Sequence, residues 1–473
     1  MKKTTLIKFF IALLAFGLNY SCEQKIATKI DSDPWETAET IIQNTTVPSF
    51  QDSIFNLTDF GAVGDGVTKD TKAFQHAIEA CHNAGGGKII VSKGTYLTGP
   101  IHLKSNVHLH LEEGVEVLFS KDLDDYLPLV HTSYEGVELM NYSPLIYAKD
   151  QKNIAITGKG IFNGQANQEN WWPWCGSERY GHKEGMPAQK DAHNLPTLRK
   201  MNEEQTPVDQ RVFGSGHQLR PLFFEVLNCE NVIVSGVTFT NAPFWVLHPL
   251  KSSNITIDGV TVNSHGPNND GCDPEYCKNV VIKNCIFNTG DDCIAIKSGR
   301  NNDGRAVNIP SENIVVQNCT MKDGHGGVVM GSEISAGVRN VFVRNCTMDS
   351  PNLDRAIRIK TNTLRGGFVE NVYVKDIEVG QVKESVLRIN TFYGIYANQE
   401  GDYMPNIENI NLENITVKNG GKYGILIKGR AENPVKNITL KNVTIDEAQQ
   451  TTSIENAEKI KYINTKINGE IMN

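Results

Sequence analysis

Short runs of alternating apolar and polar residues fill most of this chain, and an asparagine opens run after run. The pattern reads Asn153-Ile154-Ala155-Ile156, Asn231-Val232-Ile233-Val234, Asn254-Ile255-Thr256-Ile257 and Asn279-Val280-Val281-Ile282. It continues as Asn313-Ile314-Val315-Val316, Asn340-Val341-Phe342-Val343, Asn371-Val372-Tyr373-Val374, Asn409-Ile410-Asn411-Leu412 and Asn437-Ile438-Thr439-Leu440. Period-two alternation of β-branched residues between turn residues predicts strands. From Asn231 the asparagines recur at steps of 23, 25, 34, 27, 31, 38 and 28 residues, a spacing that marks a solenoid. No helical periodicity lies between the strands, so crossover-helix folds are excluded. The expected fold is all-β, a parallel β-helix with stacked coils. Cys285, Cys319 and Cys346 each follow a repeat asparagine by six residues, so they are expected to stack as an internal ladder of small side chains. The asparagines are expected at coil corners, their amides bonding backbone groups.

The ends depart from this pattern. Residues 22–50 read as a polar tether, and 51–105 as an N-terminal cap and first coils. Within the cap, Ala73, Ala77, Ile78 and Ala80 give Thr71 to Cys81 one apolar face, which predicts a short helix closing the open end of the solenoid. The β-helix itself is expected over 106–455, with a tail or cap at 456–473. An insertion at 163–220 interrupts the repeat and carries Trp171, Trp172 and Trp174, which could either stack on sugar or pin the loop to the body.

Composition narrows the function. A net charge of −8 with 21% charged residues disfavours nucleic acid, which needs a basic surface. The first residues read as an export signal over 1–21, with Lys2 and Lys3 before an apolar stretch from Phe9 to Leu18 that is too short to span a bilayer. Ser21-Cys22 then resembles a bacterial lipoprotein processing site, with Cys22 as lipid anchor. This predicts an exported protein, periplasmic or on the outer membrane or cell surface of a Gram-negative bacterium, touching the membrane only through its anchor. The other cysteines show no zinc spacing; Cys272 and Cys277 are either a pair or two buried thiols.

Four segments place polar groups where the repeat calls for core. They are Asn268-Asn269-Asp270-Gly271 with Asp273 just beyond, Gly290-Asp291-Asp292-Cys293, Gly324-His325-Gly326-Gly327, and Arg358-Ile359-Lys360. Residues one coil apart lie about 4.8 Å apart along the stack, so the segments can converge on one groove. Three carboxyls there supply an acid and a base for glycoside cleavage. An inverting pair stands about 6.5–9.5 Å apart to admit a water. Crowding three together leaves one protonated. Arg358 and Lys360 share a strand face and suit a sugar carboxylate. Asp291 and Asp292 are neighbours, so both reach the groove only if the chain bends after Gly290. Asn268, Asp273, Lys297 and Arg300 are further substrate-binding candidates.

The four segments, in this order, resemble the polygalacturonase family of glycoside hydrolases, family 28, over roughly residues 55–450. Asn269 stands where threonine is common in that family. The resemblance implies a right-handed parallel β-helix and inverting hydrolysis of α-1,4-galacturonosyl linkages in pectin. It implies Asp291 as general acid, Asp270 and Asp292 as the pair that activates water, and His325 beside Asp291. Arg358 and Lys360 would hold the galacturonate carboxylate. No metal and no organic cofactor is implied. The expected partner is an acidic polysaccharide or oligosaccharide, galacturonan or rhamnogalacturonan, acted on by a monomer. The insertion would close one end of the groove and favour exo-action. Two rivals stay open: a polysaccharide lyase using the aspartates as calcium ligands, and a surface protein that binds glycans without cutting them.

Overall fold

The computed structural model describes residues 33–394 and 400–473. The expected signal peptide and Cys22 lie outside the described residues. Every asparagine strand pairs in parallel with the next. Asn231, Asn254, Asn279, Asn313, Asn340 and Asn371 open successive coils, with Val232 beside Ile255, Ile255 beside Val280, Val280 beside Ile314, Ile314 beside Val341 and Val341 beside Val372. Each coil adds a second strand to this flank and then, after a turn, a strand on another face. The result is a right-handed parallel β-helix, the hand that parallel crossovers adopt. Inward aliphatic residues from all coils form one continuous core.

The repeat asparagine has a specific physical role. Asn153, Asn231, Asn254, Asn279, Asn313, Asn340, Asn371 and Asn409 all sit at φ between 55 and 60°, the left-handed region that asparagine tolerates better than other residues with a Cβ. Their amides bond one another rather than the backbone groups expected. Nδ2 of Asn254 donates to Oδ1 of Asn231 at 3.0 Å, Asn279 to Asn254 at 3.1 Å, and Asn313 to Asn279 at 3.2 Å. The row begins at Asn106 and ends at Asn409. Cys285, Cys319 and Cys346 are buried, and Cys272 and Cys277 are free thiols.

Among the described residues four α-helices complete the fold: α1 (Pro34–Asn44), α2 (Thr71–Asn83), α3 (Leu195–Glu203) and α4 (Asn301–Val307). Helix α2 buries Ala73, Phe74, Ala77, Ile78 and Cys81 against the first coils, as its periodicity predicts. Helix α1 corrects the reading of 22–50 as a tether. Asp33 caps it, and Ala38 and Ile41 cover Val315 and Phe342 on the outer flank. Its partners lie some hundreds of residues away in the chain, so local polarity concealed it. At the other end, Ala457–Ile463 and Lys466–Ile467 add parallel strands, and Glu470–Ile471 folds back on Lys466–Ile467. In the insertion, Trp171 is buried against Tyr126 and Trp174, and Trp172 donates to the carbonyl of Ala242 at 2.9 Å. These tryptophans pin the loop to the body.

The face that carries the polar segments is broken. Strands Ile146–Lys149, Phe224–Leu227 and Leu247–Leu250 form one sheet, and Ile294–Ile296, Val328–Gly331 and Arg355–Lys360 belong to another. Between them residues 271–275 make only isolated bridges to each neighbour. Pro274 sits in that gap, and a proline cannot donate to a ladder.

Candidate active site

The turns that enter this broken face carry the predicted aspartates. Asp270 lies just before the gap, and Asp291 and Asp292 lie in the bend between Ile286–Thr289 and Ile294–Ile296. That bend lets neighbouring carboxylates reach one place. A Cβ on Gly290 would meet the carbonyl oxygen of Gly266 at 2.4 Å, so only glycine allows the turns to stack this closely. One oxygen from each of Asp270, Asp291 and Asp292 lies within 4.8 Å of the others. This is tighter than the separation expected for a pair flanking a water.

Each carboxyl has its own surroundings. Asp292 is fully buried, with Lys360 Nζ donating to Oδ2 at 2.6 Å and Arg358 Nη1 donating to Oδ1 at 3.2 Å. Burial opposes its ionisation, but Lys360 and Arg358 hold its pKa below the usual range. Asp291 is partly open and pairs with His325 Nδ1 at 2.9 Å. Burial likewise opposes its charge, yet His325, followed by Lys360 and Lys297, holds the carboxyl well down. The same hydrogen bond pushes the half-exposed His325 up to about 9. Asp270 goes the other way: burial, then the charges of Asp273 and Asp291, push its pKa well up, although Lys297 stands 3.6 Å away. Of the three, Asp270 is therefore the carboxyl that most readily holds a proton.

Asp270 and Asp291 open into a cavity of about 710 Å³, while Asp292 is buried beside them. Lys297, Arg300, Lys360 and Arg365 line it, with Trp245 and Tyr393 as aromatic walls. Lys297 Nζ lies 4.3 Å from the Trp245 ring centre and 3.6 Å from both Asp270 and Glu333. Arg358 and Lys360 lie 5.2 and 5.0 Å from the Tyr393 ring centre. The far wall comes from α3 and α4, through Arg199, Asn202, Glu203 and Asn301, and from Glu135 in the hairpin Val130–Asn141. Asn268 also lines the cavity, its Oδ1 accepting from Arg220 at 2.8 Å.

Two predicted contacts do not line the cavity: Arg358, which instead bonds Asp292, and Asp273. Asp273 is fully buried, both its oxygens lack partners among the described residues, and it does not reach the cavity, so it cannot touch substrate. Burial raises its pKa well above the usual range. Sequence reasoning also missed Trp245, Glu333, Arg365 and Tyr393. They sit in no motif, and only the stacking of distant coils brings them in.

Residues 209–465 match the family described as Glycosyl hydrolases family 28. Residues 54–110 match a second, described as Rhamnogalacturonase A/epimerase, pectate lyase-like. A probable polygalacturonase of Vitis vinifera is 29% identical over 429 residues, covering 88% of this chain and 77% of its own length. An exo-poly-alpha-D-galacturonosidase of Dickeya chrysanthemi is 28% identical over 394 residues, covering 79% and 63%. The crystal structure of a hyperthermoactive exopolygalacturonase from Thermotoga maritima superposes with a TM-score of 0.89 at 44% identity, covering 93% of this chain and 97% of that one. With more than half of its length matched, on a β-helix that gathers the expected carboxylates, this chain belongs to glycosyl hydrolase family 28.

Proposed function

We propose that this enzyme hydrolyses α-1,4-galacturonosyl linkages in polygalacturonan and its oligosaccharides, working from a chain end. The observation that carries this reading is the carboxyl trio, two of its members opening into a cavity lined by Lys297, Arg300, Lys360 and Arg365. The acids supply the chemistry, and the cations suit a substrate that bears a carboxylate on every sugar.

Asp291 is the general acid, because it is the open carboxyl of the cluster. In the empty site it is ionised against His325, but a bound galacturonate changes that balance. The sugar adds negative charge and excludes water, and both favour the protonated carboxyl. The proton that Asp270 holds in the empty site passes to Asp291, and Asp270 and Asp292, both then carboxylates, hold and activate a water. Asp292 is fully buried and does not line the cavity, so it is poorly placed to attack an anomeric carbon, which favours inversion over a covalent intermediate. Lys360 and Arg358 neutralise Asp292, and Lys360, which lines the cavity, faces the sugar carboxylate. The wall from α3 and the 130–141 hairpin supports exo-action by closing the cavity beyond the terminal sugar. Chromatography of an early digest tests this: monogalacturonate from the first minutes is expected, and long internal fragments would rule out exo-action. Proton spectra of the fresh product are expected to show the inverted β-anomer first, whereas an initial α-anomer would require a covalent route.

One observation favours a second reading, because three carboxylates this close could also clasp a divalent cation, as a lyase would require. The three cationic side chains already on them weigh against it. The export signal and Ser21-Cys22 further support a lipid-anchored enzyme outside the cytoplasm. Metabolic labelling with palmitate, lost in Cys22→Ala, is the expected result, and equal labelling of both proteins would refute the anchor.

A further inference from the structure

Beneath the cavity wall lies a polar group that the chemistry above does not use. His248 is fully buried, its Nδ1 3.0 Å from Glu225 Oε2 and its Nε2 2.9 Å from Glu275 Oε2. The three residues come from adjacent coils. Burying such a group disfavours folding relative to apolar residues of similar size, so its presence calls for a use. Its surroundings suggest one. The other oxygen of Glu275 accepts the backbone N–H of Gly299 at 3.0 Å. Gly299 is the hinge of the turn that carries Lys297 and Arg300 into the cavity. It has φ +78°, and a Cβ there would meet the Tyr276 hydroxyl at 1.6 Å. Arg300 in turn reaches Glu135 at 3.0 Å and Glu333 at 3.5 Å. Above His248 lies Trp245, ring centres 5.2 Å apart, itself a cavity wall under Lys297.

We infer that His248, clamped between Glu225 and Glu275, is a positioning residue that fixes the 297–300 turn and so sets Lys297 and Arg300 where the substrate's carboxylates dock. This deepens the galacturonan reading and rests on it for the identity of the ligand. A carboxylate free to swing would let go of the Gly299 N–H. A doubly hydrogen-bonded imidazolium holds it in one rotamer. Burial opposes the charge on His248, but its bonds to Glu225 and Glu275 push it up to about 9, so the clamp stays closed across the neutral range. The other titratable groups nearby are Tyr147, one coil away beside Glu225, and His131 and Glu138 on the hairpin.

The test is steady-state kinetics on polygalacturonate with His248→Gln and Glu275→Gln in the full-length protein, alongside hydrogen exchange at Gly299. In His248→Gln, KM is expected to rise about tenfold with kcat within about twofold, the signature of lost binding rather than lost chemistry. Glu275→Gln keeps an acceptor for Gly299 and is expected to shift KM less. An unchanged KM in a His248→Gln protein that merely melts earlier would overturn the inference. Exchange gives an answer that does not depend on the substrate. The Gly299 amide is expected to be protected in the wild type and to exchange at least tenfold faster in His248→Gln, and equal protection would overturn the clamp. If the wild type leaves galacturonan uncut, the proposed function fails while the exchange result still decides the clamp. Should His248→Gln not fold, nitrogen spectra of the wild-type ring decide it: two protonated nitrogens at pH 7 support the clamp, and one unprotonated nitrogen overturns it.

Discussion

The flank and the catalytic face of this solenoid are built from the same coils but obey different rules. On the flank each coil repeats the last, with an asparagine in the left-handed region, an amide bonded to the amide below, and apolar residues inward. On the catalytic face the ladder breaks at Pro274, and polar residues that would be costly alone neutralise one another: Asp292 with Lys360, Lys297 with Glu333, His248 with two glutamates. Repetition supplies rigidity, and function occupies the place where repetition stops. Changes on the broken face should therefore alter rate and pH response, while changes on the flank should alter stability alone.

The largest effect is expected from Lys360→Met. It leaves Asp292 buried with Arg358 as its one remaining cation at hydrogen-bond distance and removes a docking charge. A loss of about 10³-fold in kcat/KM is expected, with a lower melting temperature, since breaking a buried pair costs roughly 3–5 kcal/mol. Full activity would mean that Asp292 needs no cation. Next is His325→Gln, with an expected loss of about 10²-fold in kcat. Removing the imidazolium also frees the Asp291 carboxyl to rise from its depressed pKa. The limb of the kcat/KM profile that Asp291 controls should move to higher pH, and a shift to lower pH would contradict the pairing.

Stability should also respond to pH through the buried face. His248 is raised from 6.5 to about 9 in the fold, so its contribution is present in full below pH 6.5 and is lost as pH rises through 9. Thermal melts are expected to weaken across that interval, and less steeply in His248→Gln; parallel slopes would remove His248 as the cause. The smallest effect belongs to the flank. Asn313→Ala removes two ladder hydrogen bonds and strains φ at +60°, for a cost of about 2 kcal/mol in urea unfolding with kcat unchanged. A change in kcat would show that the flank and the cleft are coupled.

Much of this was legible in the chain because a solenoid converts sequence spacing into spatial neighbours. Asn231 to Asn371 marked the coils, and the segments at Asp270, Asp291, His325 and Arg358 marked one groove. What escaped has a common cause. Helix α1 finds its apolar partners at Val315 and Phe342, and Trp245, Glu333 and Tyr393 reach the cavity through turns of irregular length. Neither kind of contact leaves a local trace. The buried clamp left part of one: Glu225 and His248 each stand six residues before a repeat asparagine, at Asn231 and Asn254, with Asp273 at the same place before Asn279 and the clamp's Glu275 two residues further on. Reading the coils in register shows a polar column inside apolar strands, which single motifs do not.

The central claim is that the aspartate trio cleaves galacturonan by acid and base chemistry. A digest of polygalacturonate with and without a chelator, following reducing ends and ultraviolet absorbance together, tests it most directly. The account predicts reducing ends without absorbance, unchanged by the chelator and abolished in Asp291→Asn. Absorbance that the chelator removes would contradict it, and would make Asp270, Asp291 and Asp292 the ligands of a metal in a lyase.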